Sequence, residues 1–327
     1  MSLRIAIAGT GNVARNSYLP YLAKAPDVEL SYHSRTRERA EACARDFGGT
    51  VYDSPAALVA AEPDAVLVLT HETQRYEATL DLLAHRPKRL FFEKPLVAAQ
   101  GQANVSEDDF FRAKELLARA EEVGCETAMV FNYRFFDQTV RAQELLAARG
   151  WGALTQATLL VNYACWSHCI DLLGLFGGPA ATITALAGGA AFKGAVDVAA
   201  AFALVGGATG TILGTSGTRF ESPLYEMTFN FAGGWLSFSD LDGPLTVYDN
   251  ASRYRATHSL AGNWPRFSQY QDSFGKSLAA YLQAIRDDAP PPVPGRAGLE
   301  ELQFEAALRR SAALGRPVDV AAEFPLA

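Results

Sequence analysis

The chain has 327 residues, 49% of them hydrophobic and 20% charged, with a formal net charge of -7. That length exceeds what one core comfortably holds and predicts two domains. The acidic balance argues against nucleic acid, whose phosphates demand a surplus of Lys and Arg, although a local Arg cluster could still hold a small anion. No apolar run is long enough to span a bilayer, and "MSLRIAIAGT" enters a strand directly, without a signal peptide. A cytoplasmic protein with no membrane partner is expected, with Cys43, Cys125, Cys165 and Cys169 as reduced thiols.

In chain order, the first half alternates strand and helix. "RIAIAG" (4–9) is a short apolar strand ending in glycine, followed by a helical pattern through Val13, Tyr18, Leu19 and Leu22. "VELSYHS" (28–34) reads as a second strand, and "RERAEACARDFG" (37–48) as an amphipathic helix closed by glycine. "DAVLVLT" (64–70) is a buried strand, 75–85 a helix, and "KRLFFEKP" (88–95) a further buried strand. A helix at 107–124 carries acidic residues in its first turn, as the macrodipole favours, and "CETAMVF" (125–131) closes the series. Such regular alternation predicts an α/β fold with a doubly wound parallel sheet over residues 1–131.

The second half, 132–327, changes character. A helix at 137–149 precedes alternating runs at 153–163, 180–190, 195–205, 208–217, 224–231, 234–239 and 244–249. Gly188-Gly189, Gly206-Gly207 and Gly233-Gly234 punctuate them, and the last two pairs fit hairpin turns. This predicts an α+β domain with an open-faced, mostly antiparallel sheet. Helices return at 268–287 and 297–314, separated by "APPPVPG"; the segment 268–314 could pack back toward the first domain.

"GTGNVA" (9–14) fits G-x-G-x-x-A between a strand and a helix, the context in which that pattern binds a dinucleotide. Gly9 permits the tight turn, Gly11 lets backbone approach a pyrophosphate, and Ala14 allows close helix–strand packing. Asn12 and Val13, in the same loop, are further cofactor contacts. At the end of the second strand an acid would select the ribose hydroxyls of NAD. Here the stretch is "HSRTRER" (33–39): Ser34 can hydrogen-bond a phosphate, Arg35 can neutralise it and stack on adenine, and Arg37 and Arg39 add charge. NADP is the expected cofactor, with NAD second.

At "FFEKPL" (91–96) the chain resembles the glucose–fructose oxidoreductase / inositol dehydrogenase / MocA family. The resemblance extends to "FNYRF" (131–135) and to the closing "ALRRSAALGRPVDV" (307–320). It implies a Rossmann domain joined to an open-faced sheet domain, and a dehydrogenase or reductase acting on CH–OH groups. By that resemblance Lys94 is the leading catalytic residue, an ammonium that stabilises alkoxide-like charge on the reacting oxygen. Glu93 would orient the site, and Pro95 would follow a cis peptide. Thr70 ends the neighbouring strand and lines the cofactor. The chain departs from the family at "THETQRYE" (70–77): His71 and Glu72 stand where Pro and Asn are usual, and Arg75 near the usual His. His71 is a second-rank site residue, against an ordinary solvated loop histidine.

The family also carries Asp-x-x-x-His at a helix start in the second domain. "HCIDLL" (168–173) matches the part beginning with His, so the resemblance makes His168 the proton-transfer residue, but the family Asp is replaced by Ala164. Three readings stand: His168 oriented by another group, Tyr163 as the donor, or a lost relay with binding alone. Cys165, His168 and Cys169 share a helix face, yet a fourth ligand is missing, so no metal is expected.

Candidate substrate contacts are Tyr133, Arg134 and Trp166, followed by Arg219, Tyr225, Trp264 and Arg266. Aromatic residues with Arg suit a sugar, cyclitol or polyol, and Arg134 lies at the crossover. The alternatives to a sugar-type oxidoreductase are a non-catalytic NAD(P)-binding sensor of the same fold and a reductase of a non-sugar carbonyl or conjugated substrate. An exposed apolar sheet face implies a homodimer or homotetramer.

Overall fold

A computed structural model describes residues 2–192, 195–215, 223–261 and 267–327. The chain divides into two compact units, one comprising 1–102, 108–131 and 274–299, the other 103–107, 132–273 and 300–327.

The first unit contains β1 (Leu3–Ala8), a π-helical turn (Ala14–Tyr18) leading into α1 (Leu19–Leu22), β2 (Val28–His33), α2 (Arg37–Phe47), β3 (Thr50–Val51) and α3 (Pro55–Ala60). β4 (Ala65–Val68), α4 (Glu72–Leu83), β5 (Arg89–Phe92), α5 (Glu107–Glu122) and β6 (Glu126–Met129) follow. The six strands form one sheet in the order β3-β2-β1-β4-β5-β6, with every pair parallel. Parallel strands are covered on both faces, which is why their sequences are continuous apolar runs. Ile5, Ile7, Val66, Leu67, Val68, Leu90, Phe91 and Phe92 are all buried.

The strand order reverses between β1 and β4, the point at which doubly wound sheets take a ligand. There the chain is drawn tight. Gly9 donates its N–H to the His33 carbonyl at 2.9 Å, and Leu69 donates to the Ala8 carbonyl at 2.8 Å. Gly9 has φ +101°, and a Cβ on it would stand 2.6 Å from the Thr70 nitrogen.

α4 begins at Glu72, not at residue 75, because the His71 side chain caps it by accepting from the Thr73 N–H. β3 and α3 are not expected from the alternation. A two-residue strand carries no periodicity, but Ser54-Pro55 is a cap followed by proline at the first helical position, and Ser54 does accept from the Ala57 N–H.

The second unit opens with a 3-10 turn (Asn132–Phe135), then α6 (Asp137–Arg149), β7 (Leu154–Asn162), a second 3-10 turn (Tyr163–Cys165) and α7 (Trp166–Gly177). β8 (Ala180–Phe192), β9 (Ala195–Leu204), β10 (Thr209–Thr215), β11 (Tyr225–Phe231), β12 (Gly234–Ser239), β13 (Leu245–Asp249) and β14 (Arg255–His258) follow. α8 (Ser268–Arg286) belongs to the first unit from residue 274 and α9 (Arg296–Leu314) to the second from residue 300, and the chain ends in β15 (Val318–Asp319) and α10 (Val320–Glu323). The nine-stranded sheet has the order β14-β13-β12-β11-β7-β10-β9-β8-β15 and is antiparallel except for the β7–β10 pair. The Gly206-Gly207 and Gly233-Gly234 pairs do lie where β9 turns into β10 and β11 into β12, whereas Gly188-Gly189 falls within β8, where its pairing with β9 shifts register.

One face of this sheet is covered by helices. Phe176 of α7 packs on Phe229 at 5.0 Å, Phe304 of α9 meets Phe202 edge-on at 5.9 Å, and Ser311 accepts from the Ala185 N–H. On the other face Leu160, Leu186 and Leu213 are exposed.

Within this unit an ion pair fixes α7 to the turn at 132–135. Arg134 donates two hydrogen bonds to Asp171, at 2.8 and 2.6 Å. Burial pushes the Asp171 carboxyl up to about 6, against the pull of the two Arg134 hydrogen bonds. For Arg134, burial opposes the charge but the Asp171 carboxylate outweighs it, and its pKa is raised. The partners thus lean opposite ways, Asp171 toward neutral and Arg134 toward charged; the bidentate geometry favours the ionised pair at pH 7.

Two outcomes follow from these contacts. Gly9→Ala places a Cβ against the β4 backbone at positive φ and is expected to cost about 3 kcal/mol in chemical denaturation. The folded-state value of Asp171 lies above the ordinary one, so the fold holds a proton that the unfolded chain has released. Stability therefore falls as pH rises from about 4 to about 6 and levels above. Asp171→Asn should remove that slope, whereas Arg134→Ala, which strands the buried carboxylate, should cost about 3–5 kcal/mol at pH 7.

Candidate functional site

In the first unit the site residues gather at the C-terminal ends of β1, β4 and β5. The glycine turn, Gly9–Gly11, leads straight into helical backbone at Asn12 and Val13. Gly9 is glycine because Thr70 stands against it. Gly11 has no protein atom within 4 Å of where a Cβ would sit, so packing of the chain does not explain it. Close approach of a pyrophosphate does, since a Cβ there would fill the phosphate cradle at the helix N-terminus. The Thr10 and Thr70 hydroxyl oxygens are buried and have no hydrogen-bond partner among the described residues. Two unpartnered hydroxyls flanking a glycine turn fit a polar ligand, and they fit the dinucleotide.

Lys94 lies two residues beyond the end of β5. The Lys94–Pro95 peptide is cis. Glu93 is 5% exposed; one carboxylate oxygen accepts from the Tyr18 hydroxyl at 2.7 Å and the other from the Lys94 backbone N–H at 2.9 Å. The carboxylate therefore holds backbone, while the Lys94 ammonium donates to Gln102 Oε1 at 2.8 Å. Gln102 is in turn anchored at its own N–H by Glu72, 3.3 Å away.

At the other end of the crevice, β2 runs out at His33 and Ser34 follows, half-buried. Arg35 is exposed and donates to Gln74 Oε1 at 2.7 Å, which steadies the guanidinium beside the first turn of α4. Arg37 does not add free charge, because Glu41 at 2.8 Å and Asp53 both pair with it. Arg39 stands exposed on α2. His71 is exposed and serves as the α4 cap, 3.4 Å from Glu72 Oε2.

In the second unit His168 lies in the first turn of α7 and is 2% exposed. Its ring stacks on Tyr133, with centroids 4.0 Å apart and planes 6° apart. Tyr133 stacks on Phe136 with its other contacts at 4.4 Å, and its hydroxyl donates to Cys165 Sγ at 3.1 Å. Asn162 caps the turn before α7 by accepting from the Ala164 N–H at 3.0 Å, which leaves Tyr163 half-buried at the start of that turn.

The residues expected to touch substrate are placed as follows. Tyr133 is 2% exposed and packs between the His168 and Phe136 rings. Arg134 has its fork engaged by Asp171. Trp166 is buried against β10, where a Cβ on Gly214 would meet its ring at 2.9 Å. Its indole Nε1 has no partner among the described residues. Tyr225 is buried beside Tyr133, at 5.7 Å. Arg219, Trp264 and Arg266 lie outside the described residues. Among the described residues no group of three His, Cys, Asp or Glu could hold a metal ion. Burial keeps the Cys169 thiol well above its usual pKa.

Arg75 and Gln102 belong to this site, and the chain order does not point to them. Arg75 is 3% exposed and donates to the carbonyls of Thr70 at 2.8 Å, Glu93 at 2.7 Å and Pro95. The signal was its position, where relatives carry a histidine.

Residues 3–131 match the model of an oxidoreductase family with an NAD-binding Rossmann fold. A curated relative, the D-glucoside 3-dehydrogenase of Escherichia coli (strain K12), is 29% identical over 179 residues, 48% of this chain and 48% of that protein. The match thus spans about half the relative's length. Solved structures share the fold at lower identity. An oxidoreductase from Agrobacterium radiobacter, in complex with NAD+, L-tartaric acid and magnesium, has a TM-score of 0.82 at 17% identity, covering 99% of this chain and 100% of that one. The WlbA dehydrogenase from Bordetella pertussis, with NADH and UDP-GlcNAcA, has 0.76 at 18%, covering 97% of each chain. The UDP-N-acetylglucosamine 3-dehydrogenase GnnA from Acidithiobacillus ferrooxidans has 0.76 at 18%, covering 97% of this chain and 100% of that one. The glycine loop at the sheet's switch point and the Glu-Lys-Pro at the next strand end both lie within residues 3–131, the part of the chain that matches this oxidoreductase family.

Proposed function

We propose that this protein is an NADP(H)-preferring dehydrogenase or reductase. It would pass hydride between the nicotinamide and a secondary alcohol or ketone of a sugar, cyclitol or related polyol. One observation carries this: in a single parallel sheet, the end of β4 is packed on Gly9 while the next strand, β5, runs on to Lys94. The dinucleotide supplies the hydride acceptor or donor. Gly9, Gly11, Asn12 and Val13 give it backbone at a helix start, and the Thr10 and Thr70 hydroxyls give it hydrogen bonds. Lys94 donates to the reacting oxygen and stabilises the charge that grows there as hydride moves. His168 carries the proton, its ring plane set by Tyr133 where relatives use a carboxylate four residues earlier; Tyr163 is the alternative donor.

Ser34 and Arg35, with no acid at the end of β2, support a 2′-phosphate and so NADP. The substrate class is supported by the relatives, two of which are named as 3-dehydrogenases of glucose-derived sugars. The 3-hydroxyl of a glucoside is therefore the first substrate to test. A sensor that binds cofactor without turnover is the second reading, and Ala164 is the residue that favours it.

The open sheet face supports self-association. Across it runs a row, Leu186–Ala199–Leu213–Leu160, beside a second row of small side chains, Thr184–Ala201–Thr211–Thr158–Thr228–Ser237–Thr246. Such a flat, part-apolar face is self-complementary and suits a homodimer or a homotetramer.

Fluorescence titration should show NADPH bound at least about tenfold tighter than NADH, a difference of about 1.4 kcal/mol, and Ser34→Asp should reverse the order. Equal affinities would refute the cofactor assignment. On a panel of methyl glucosides, UDP-sugars and inositols, Lys94→Ala should lower kcat by about 100-fold or more, and His168→Asn by a similar factor. Cofactor binding without turnover on any member would favour the sensor. Light scattering should give a dimer or a tetramer, and Leu186→Glu with Leu213→Glu should reduce it to a monomer; a wild-type monomer would refute the interface.

A further inference from the structure

A guanidinium buried without a carboxylate in hydrogen-bond contact is costly, and Arg75 is such a group. Its two terminal nitrogens reach three backbone carbonyls: Thr70 at the end of β4, and Glu93 and Pro95 on either side of Lys94. Its Nε has no hydrogen-bond partner among the described residues. A helix residue facing only packing needs no such arrangement; an apolar side chain would fill the space at lower cost. What Arg75 alone provides is a rigid fork with several donors, and the carbonyls it takes are those that bracket Lys94.

The Lys94 N–H is tied at the same time to Glu93 Oε2, at 2.9 Å. Its ammonium is tied to Gln102, whose own N–H is held by Glu72 in the turn of α4 that carries Arg75. Backbone before, at and after Lys94 is thus fixed by charge-assisted hydrogen bonds, and the far end of the side chain by a bond to a neutral amide oxygen. We propose that Arg75 is a positioning residue that acts through Lys94, clamping the ends of β4 and β5 so that the ammonium is presented at one place and angle to the reacting oxygen. The catalytic part of this rests on the oxidoreductase reading above; the clamp itself does not.

The test uses the full chain with Arg75→Gln and Arg75→Lys. Amide exchange read by mass spectrometry should show about tenfold or more lost protection over residues 93–96 in the Gln variant, with β1 unchanged. The Lys variant, which still donates, should keep part of the protection. In turnover, Arg75→Gln should lower kcat about 30-fold with KM for NADPH within about twofold, Arg75→Lys should recover part, and Lys94→Ala added to Arg75→Gln should cost little more. Unchanged protection at 93–96 overturns the clamp. Fully additive losses, or a raised KM with kcat unchanged, overturn its action through Lys94. If the wild type turns over no substrate, the oxidoreductase reading fails and with it the catalytic half of the proposal, while the exchange result still decides the clamp. If Arg75→Gln does not fold, the Lys variant decides by the same comparison.

Discussion

A methyl group has no place on residue 9. The Thr70 amide nitrogen, 2.6 Å from where that carbon would stand, holds the end of β4 against the first turn of the dinucleotide loop. Much of the first unit depends on this closeness. It exists because the sheet order reverses between β1 and β4, so the two chains leaving those strands turn to opposite faces and open a crevice between them. Glycine at 9 lets the loop turn inside that crevice, and the next strand, β5, then delivers Lys94 to its edge. Polar groups that would be a liability in a core are tolerated there: the Thr10 and Thr70 hydroxyls, the Glu93 carboxylate and the Arg75 guanidinium are all buried within a few residues of strand ends.

The charges at this edge are arranged to fix backbone. Glu93 and Lys94 are adjacent and opposite in sign, and a direct ion pair would be the simple expectation. Instead the carboxylate takes the Tyr18 hydroxyl and the Lys94 N–H, and the ammonium goes to Gln102. In the proposed reaction, an ion pair would hold the ammonium by Coulomb attraction and oppose its transfer to a substrate oxygen. A neutral amide acceptor is exchanged at much lower cost, since hydrogen bonds between neutral and charged partners are worth about 1.5–3 kcal/mol and are replaced by an equivalent bond to the oxygen. The π-helical turn at Ala14–Tyr18 contributes here too, because it places Tyr18 where its hydroxyl reaches Glu93, tying the dinucleotide helix to the β5 end.

The sequence shows the parts of the site that depend on local pattern. Strands buried on both faces are apolar throughout, the glycine loop is read from three spacings, and Glu-Lys-Pro at a strand end is a compact signal. Residues 1–131 could be read almost element by element for that reason. What lay beyond reading is non-local. Arg75 sits in a helix whose pattern suggests a solvated face, and only the meeting of two strand ends gives it three carbonyls. The stack of Tyr133 on His168 joins residues 35 apart in the chain, and no periodicity links them. Tyr133 and Trp166 suit a sugar by residue type, but the same types suit a helix packed on a sheet, and both side chains are buried. Gly188-Gly189, unlike the two pairs at hairpin turns, lies within a strand, because glycine also marks a break in register.

The missing carboxylate before His168 is the sharpest departure from the family pattern, and the geometry around it has a consistent physical sense. A carboxylate does two things for an imidazole: it fixes the ring, and it favours the charged form. The Tyr133 ring, parallel to within 6° and 4.0 Å away, fixes the plane, an interaction worth about 1 kcal/mol beyond burial. It does not supply a negative charge. Tyr133 is itself held neutral, since burial pushes its phenol well above the usual value and its proton is committed to Cys165. The nearest acid along α7, Asp171, is neutralised by the bidentate Arg134 pair three residues on. The stack therefore accounts for the plane of the His168 ring.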